Sequence, residues 1–93
     1  MSLAAKRHLS RVAALGCVLC EHLGTPGTPG EIHHLREGQG AAQRGSDWTS
    51  VCLCPEHHRG ASGLHGLGAR GFAARYKLDE LDLLALTIER LER

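Results

Sequence analysis

Two short pairs of metal-binding residue types, Cys17-x-x-Cys20 and Cys54-x-x-His57, constrain the fold of this chain more than any other feature. Structural zinc takes four sulfur or nitrogen ligands in a tetrahedron, commonly from such pairs. With 93 residues and three aromatic ones, the chain has a thin core that a metal would strengthen. Cys52 competes as a ligand, but it lies outside the paired spacing and is expected to be a small buried strand residue. We therefore predict a structural zinc ion bound by Cys17, Cys20, Cys54 and His57.

The redox conditions of the cellular compartment decide whether the four cysteines bind metal or form disulfides. Residues 1–15 contain Lys6, Arg7 and Arg11 and lack the continuous apolar stretch of a signal peptide. We expect a cytosolic chain, in which closely spaced Cys and His more often bind metal than form bridges. No apolar run approaches the roughly 20 residues of a membrane span. The formal charge of +1 attracts phosphate only weakly, so nucleic-acid binding would depend on clustered arginines and bound cations.

Hydrophobic periodicity and chain breakers predict short helices and strands. The long separation between the two pairs excludes a classical zinc finger and implies that a ββα core lies between a zinc knuckle and a helix. The four glycines among residues 60–68 predict a loop whose backbone bends freely. The expected elements are a helix at 1–15 that stops at Gly16, strands at 31–35 and 48–53, a helix starting at Pro55, and a helix at 69–76.

The C-terminal helix is the best specified of these elements. Asp79 is its expected N-cap, and Leu78 with Leu83 can form a hydrophobic staple around that cap. Its apolar stripe, which should close the core, consists of Leu81, Leu84, Ile88 and Leu91. We predict one domain, 1–93, with an N-terminal helix at 1–16, a zinc knuckle and ββα-metal core at 17–66, and C-terminal helices at 67–93.

Five of the seven histidines fall in one central segment, and more remain than the zinc site needs. His33 and His34 lie in a predicted strand, so their side chains point to opposite sides and cannot share one role. A lone histidine is more often packed or exposed than a ligand. The predicted zinc, however, ties this strand to the helix that starts at Pro55. Either His33 or His34 can therefore converge with His58 and His65 on a second ion.

The same segments resemble a known family, the HNH or ββα-metal endonucleases. The matching stretches are Glu31-Ile32-His33-His34-Leu35, Leu53-Cys54-Pro55-Glu56-His57-His58-Arg59-Gly60 and Gly63-Leu64-His65-Gly66-Leu67-Gly68. More narrowly, the chain is similar to the phage RecA-dependent nucleases, because Arg36-x-Gly-x-Gly40, Arg44-x-Ser-Asp47 and Phe72-x-x-x-Tyr76 follow in order. The resemblance implies an α+β, zinc-stabilised, treble-clef-like domain with flanking helices. It also implies a phage or prophage protein that acts in recombination or repair in the cytoplasm of a bacterial host.

The resemblance assigns roles to the spare histidines. It implies that His33 binds the catalytic metal and that His34 activates water as the general base. By position, His58 and His65 would complete the metal ligands. The family pattern also has an asparagine that orients the base, and this chain contains no asparagine. The available substitutes are Asp47, Thr49 and Ser50, of which Asp47 fits the subgroup pattern best.

The resemblance further implies a metal-dependent DNA endonuclease that uses one Mg²⁺ or Mn²⁺ ion for hydrolysis. Imidazole ligands alone would suit zinc or manganese. Arg36, Arg44 and Arg59 are the candidate phosphate contacts. A RecA–DNA filament is a candidate partner, although the chain lacks the long basic N-terminal segment that such proteins can carry. The alternative, kept open by the missing asparagine, is a non-catalytic, zinc-stabilised module that binds nucleic acid or protein.

Overall fold

The computed structural model describes residues 1–36 and 45–93. They form a small α+β fold with one two-stranded sheet and flanking helices, as the sequence predicts. The elements are α1 (Leu3–Ala14), α2 (Val18–His22), β1 (Glu31–His34), β2 (Ser50–Leu53), α3 (Pro55–Arg59), α4 (Leu64–Tyr76) and α5 (Glu80–Leu91). No helix in the described parts of the chain has the length and apolar character needed to cross a membrane.

The two strands form an antiparallel pair at the centre of the fold. His33 lies opposite Val51, and His34 lies opposite Ser50. All four residues of β2 are buried, because helices cover both faces of the sheet, and this burial stabilises a pair of strands that would be marginal alone. The largest fully buried apolar side chains are Phe72, Leu19, Leu53, Leu83, Val12 and Val51.

The end of α1 leads directly into the first cysteine pair. Gly16 has a φ of +76°, and a Cβ there would lie 2.9 Å from the Thr28 carbonyl oxygen, so glycine is the residue that fits this stop. Cys17 then donates its N–H to the Thr28 carbonyl at 2.7 Å. Its Sγ also accepts from the Cys20 N–H at 3.4 Å, which caps α2. The first cysteine pair therefore lies on a short helix, and the segment that contains Thr28 is hydrogen-bonded to its start.

Helix α4 begins earlier than the sequence suggested. It starts at Leu64 inside the predicted loop, and Gly68, with a φ of +75°, divides it into two helical pieces. The early start is possible because Gly63 lets the chain approach α3 closely. A Cβ at Gly63 would lie 2.5 Å from the backbone carbon of His57. The close approach places His65, in the first turn of α4, beside α3.

Helix α5 has the predicted N-cap residue, but the face that it buries differs from the predicted apolar stripe. Asp79 caps the helix in a reciprocal capping box with Asp82. The predicted stripe is wrong in two positions, because Leu81 and Ile88 are 52% and 49% exposed. The face that is buried instead consists of Glu80, Leu83, Thr87 and Arg90.

Two polar contacts explain why the buried face of α5 is rotated. Arg90 is nearly buried, and its Nε lies 2.5 Å from Glu21 Oε2 while one of its terminal nitrogens donates to the Val18 carbonyl at 3.1 Å. At the other end of the helix, Glu80 turns inward toward His33. Buried charges are tolerated when they are paired, so these two residues fix the face that Leu83 and Thr87 share. Helix α5 therefore links α2 to the sheet.

Candidate metal centres and active site

The first cluster contains three cysteines and one histidine, and its geometry fits a zinc ion. The ligand atoms of Cys17, Cys20, Cys54 and His57 all lie within 4.8 Å of one another. Cys20 Sγ and Cys54 Sγ are 3.8 Å apart, and bonds of about 2.3 Å to a tetrahedral zinc would place two sulfurs at roughly this separation. His57 Nδ1 lies 3.3, 3.5 and 3.9 Å from the sulfurs of Cys54, Cys20 and Cys17. These four residues could hold one metal ion.

Burial governs the protonation of this cluster. It raises the pKa of the Cys17 thiol to about 12 and lowers the pKa of His57. A buried thiolate needs a positive charge beside it, which a zinc ion would supply, and a neutral imidazole is the form that binds metal. The pKa of Cys52 is also raised by burial, to about 11, but Cys52 stands outside the cluster, with its Sγ 4.0 Å from the Ala13 carbonyl.

The aromatic residues of α4 hold His57 in place. The Tyr76 ring meets the His57 ring edge-on at 5.8 Å between centroids. Tyr76 in turn packs on the buried Phe72 at 4.8 Å, and its hydroxyl donates to the Ser62 carbonyl at 2.6 Å. The Phe-x-x-x-Tyr motif of the sequence therefore serves to support a ligand of the first cluster.

The second cluster consists of three imidazoles. His33 Nδ1 lies 3.2 Å from His58 Nε2, and the ring of His65 lies 4.6 Å from that of His58 and 5.9 Å from that of His33. Their ligand atoms also fall within 4.8 Å of one another. His33 is buried, His58 is half-buried and His65 is exposed. The cluster therefore has three nitrogen donors and one open side, which is the arrangement of a metal site that keeps a position for water or substrate.

Two carboxylates hold the outer nitrogens of this cluster. Glu80 Oε2 lies 2.5 Å from His33 Nε2, and Glu31 Oε1 lies 2.7 Å from His58 Nδ1. Each contact fixes a ring so that its other nitrogen faces the centre of the cluster, as outer partners of metal-binding histidines do. Burial lowers the pKa of His33, while the hydrogen bond to Glu80 opposes this change. The neutral, metal-binding form of His33 is thus favoured.

Sequence reasoning assigned no role to either carboxylate. The position of Glu31 could have predicted that it lies near the cluster, because it is two residues before His33 on a strand and therefore on the same face. The position of Glu80 could not, since it is 47 residues away from His33 in sequence and follows a helix cap. The carboxylate of Glu80 also accepts the backbone N–H of Arg36 at 3.1 Å, so it joins the end of β1 to α5.

The three arginines predicted to contact phosphate differ in their surroundings. Arg59 donates its Nε–H to Glu31 Oε1 at 2.8 Å, and its side chain is still 64% exposed. This arginine, followed by His58, lowers the pKa of Glu31. Arg36 is exposed. Arg44 lies outside the described residues. Arg59 is therefore shared between a carboxylate and the solvent, and Arg36 faces the solvent.

His34 stands apart from both clusters and contacts Asp47. Its Nε2 lies 2.8 Å from Asp47 Oδ1, and both side chains are largely buried. The hydroxyls of Thr49 and Ser50, the other two candidates for the missing asparagine, donate to the carbonyls of Ser46 and Asp47. These hydroxyl bonds hold the turn that carries Asp47. Of the three candidates, the carboxylate of Asp47 is therefore the group that contacts His34.

A small α+β domain with two groups of residues able to hold metal, one closed and one open, defines this chain as a candidate metal-binding protein. The chain belongs to the family described as recombination enhancement, RecA-dependent nuclease, whose model matches residues 2–92. The family name supports the nuclease class that the motifs indicated. No curated protein is similar enough to the chain to count as a match.

Proposed function

We propose that this chain is an HNH-type, metal-dependent endonuclease that hydrolyses phosphodiester bonds in DNA. The observation that supports this proposal best is that the two adjacent histidines have different contacts. His33 joins a three-imidazole cluster with outer carboxylates, and the adjacent His34 is oriented by Asp47. A binding module would need neither an oriented base nor spare imidazoles beside its zinc site.

His34 is the proposed general base. When its Nε2–H is donated to Asp47 Oδ1, the tautomer is fixed and Nδ1 keeps a lone pair that can accept a proton from water. Asp47 therefore takes the place of the asparagine that the family pattern has and this chain lacks.

The two clusters would hold different ions. Cys17, Cys20, Cys54 and His57 would hold a structural zinc ion, since all four positions of the tetrahedron are filled by protein. His33 Nδ1, His58 Nε2 and a nitrogen of His65 would hold one Mg²⁺ or Mn²⁺ ion. When bound, such an ion polarises the scissile phosphate and stabilises the departing oxyanion.

The proposed substrate is DNA, and the family description adds a dependence on RecA. Arg36, Arg44 and Arg59 are the proposed phosphate contacts. Arg59 would have to exchange its bond to Glu31 for one to phosphate, which its exposure permits. We further propose that the chain acts on DNA that RecA has bound as a filament.

Cleavage of supercoiled plasmid tests the proposal. With added Mg²⁺ or Mn²⁺ we expect nicked or linear product, measured with and without a RecA filament on a homologous strand. His34→Ala should reduce the rate by about 10²- to 10⁴-fold while DNA binding and metal content stay unchanged. His22→Ala, at an exposed histidine on α2, is the matched control and should cleave like the wild type. Binding of DNA without cleavage under all these conditions would instead support the non-catalytic module.

A further inference from the structure

The single tryptophan of the chain is exposed and lies next in sequence to the residue that contacts the proposed general base. Trp48 is 53% exposed and directly follows Asp47, whose carboxylate contacts His34. Successive Cα atoms are about 3.8 Å apart, so the indole starts within a few ångströms of the group that holds the base. An exposed indole next to a site for a polyanion calls for an explanation beyond packing, because tryptophan is usually well buried.

The turn that carries Trp48 is held by hydrogen bonds at every residue. Trp48 donates its N–H to Ser46 Oγ at 3.1 Å, and Thr49 donates its N–H to the Ser46 carbonyl at 3.1 Å. Ser50 Oγ donates to the Asp47 carbonyl at 2.8 Å. Because one turn carries both residues, the backbone that bears the indole is held in place relative to that of Asp47.

A histidine from α1 supports the indole. The rings of His8 and Trp48 have centroids 4.7 Å apart and planes inclined by 35°, which is a stacking contact of the favourable kind. His8 is half-buried, so its position is restricted. The indole is therefore braced by one ring while about half of its surface remains open to a further ring.

The helix that carries His8 is basic. Lys6, Arg7 and Arg11 are exposed on α1, and no residue of that helix is acidic. Lys6 and Arg7 take part in none of the ion pairs among the described residues. Arg11 donates to the carbonyl of Leu91 at 3.1 Å, which leaves its charge uncompensated, and it lies one turn from His8 on the same side of the helix. A stacking ring next to uncompensated positive charge is complementary to a nucleic-acid strand.

We propose that Trp48, braced by His8, is a stacking platform for an unpaired base of single-stranded DNA next to the scissile phosphate, with α1 contacting the backbone of the same strand. Proteins that bind single strands combine these two elements, a basic surface and an exposed ring. In a duplex the base faces are covered by their neighbours, so the platform selects a strand that is unpaired at this point. The inference rests on the proposed nuclease function and adds to it the form of the substrate.

Tryptophan fluorescence tests this directly, because the chain has one tryptophan. The zinc-loaded full chain is titrated with a short oligothymidylate, without Mg²⁺ or Mn²⁺ so that no cleavage occurs. We expect quenching of Trp48 emission that saturates with binding. Variants at Trp48 lack this fluorophore, so their affinities are measured from the anisotropy of a dye-labelled oligothymidylate, with the wild type measured in the same way. Trp48→Ala should bind the oligonucleotide about 5- to 100-fold more weakly, as for loss of one stacked base, while Trp48→Phe should keep most of the affinity. Binding to a blunt duplex should change less than twofold in either variant.

Ile88→Ala is the matched control, since Ile88 is an equally exposed apolar residue on α5 and should leave single-strand affinity unchanged. Both variants are at exposed positions, and thermal melting verifies that they fold. Saturable binding with unchanged emission and unchanged affinity of Trp48→Ala would overturn the platform and leave the nuclease proposal standing. Equal weakening for single strands and duplex would also overturn it. Wild-type protein that binds neither DNA would overturn the platform, and the plasmid assay with a RecA filament decides the nuclease proposal separately.

Discussion

The two candidate metal centres contain adjacent residues of one short helix, α3, but they differ in the number and exposure of their donors. His57 turns toward three buried cysteines, and His58 turns toward two other imidazoles and an open side. The first cluster has four protein donors and no free position, whereas the second has three and is lined by the exposed His65. A closed set suits a structural ion and an open set suits a catalytic one. The number and exposure of the donors therefore distinguish the two clusters.

The residues that contact the histidines of the two centres from outside also differ in kind. Aromatic rings of α4 brace His57, whereas Glu80 and Glu31 hold His33 and His58. Packing is sufficient to fix a ligand that never exchanges its ion. A carboxylate also makes an imidazole more basic, which strengthens binding at a site with fewer donors. The comparison predicts that disturbing the first centre affects the fold and disturbing the second affects metal binding and activity.

The largest effect should come from removing zinc from the closed centre. Metal binding in small zinc domains contributes an apparent 10–16 kcal/mol that is also folding free energy, so chelation should unfold this chain. Far-UV circular dichroism and thermal melting of the metal-free protein measure this. Cys17→Ser should resemble chelation, and Cys52→Ser, at a buried cysteine outside the cluster, should be far milder. A metal-free chain that keeps the melting curve of the loaded one would remove the structural role of this centre.

The next effect should come from His65→Ala, which removes one donor from the open centre. We expect Mn²⁺ affinity to fall by more than the roughly 10- to 100-fold that loss of an outer partner costs, while one zinc ion per chain is retained. Calorimetric titration and metal analysis of zinc-loaded protein measure the two ions separately, with His22→Ala as the control. Unchanged Mn²⁺ affinity in His65→Ala would show that His65 is a loop residue and that the open centre needs another third ligand.

A smaller effect is expected from Glu80→Gln, which leaves all three imidazoles in place. Loss of the carboxylate should weaken Mn²⁺ binding by about 10- to 100-fold, and Glu31→Gln should weaken it less, because Glu31 is more exposed and also pairs with Arg59. The same titration measures both. Glu89→Gln, at an exposed acid near the other end of α5, is the control. If Glu80→Gln and Glu89→Gln bind Mn²⁺ equally well, then Glu80 supports only the fold.

The smallest effect concerns pH. Because burial lowers the pKa of His33 in the folded state, the unfolded chain binds a proton at a pH where the folded chain does not. The free energy of unfolding of zinc-loaded, Mn²⁺-free protein should therefore fall as the pH drops below about 6.5, with a slope of at most about 1.4 kcal/mol per pH unit from this group. Denaturant melts over pH 5.5–7.5 of wild type and His33→Gln measure it. An identical slope in the variant would exclude His33 as the source.

Much of the site could be inferred from sequence because its donors are close together in short motifs. The gaps within Cys17-x-x-Cys20 and Cys54-x-x-His57 match what one ion needs, and strand alternation separates His33 from His34 before any coordinates are known. The structure brings together the same groups, and their roles remain predictions. The cap at Asp79 and the stop at Gly16 were also predictable, because each depends on a local conformation that few residues adopt.

The remainder depends on contacts between distant parts of the chain. The buried face of α5 could not be predicted from apolar spacing, since two charged residues, Glu80 and Arg90, are buried on it by partners elsewhere in the sequence. The early start of α4 depends on how closely Gly63 lets it approach α3. Both are tertiary effects that override local preference. The same reason explains why the outer carboxylate Glu80 was missed.

Helix α5 has a consequence for how the two centres depend on each other. It spans 12 residues, or about 18 Å. Its first residue, Glu80, holds His33 of the open centre, and Arg90 near its end is paired with Glu21 of the helix that carries Cys20. A change that disorders α2 would therefore release the end of α5 that carries Arg90. It would thereby also disturb the contact between Glu80 and His33 at the other end of α5. The geometry of the open centre therefore depends on that of the closed one, and we expect removal of metal from the closed centre to abolish the proposed cleavage as well.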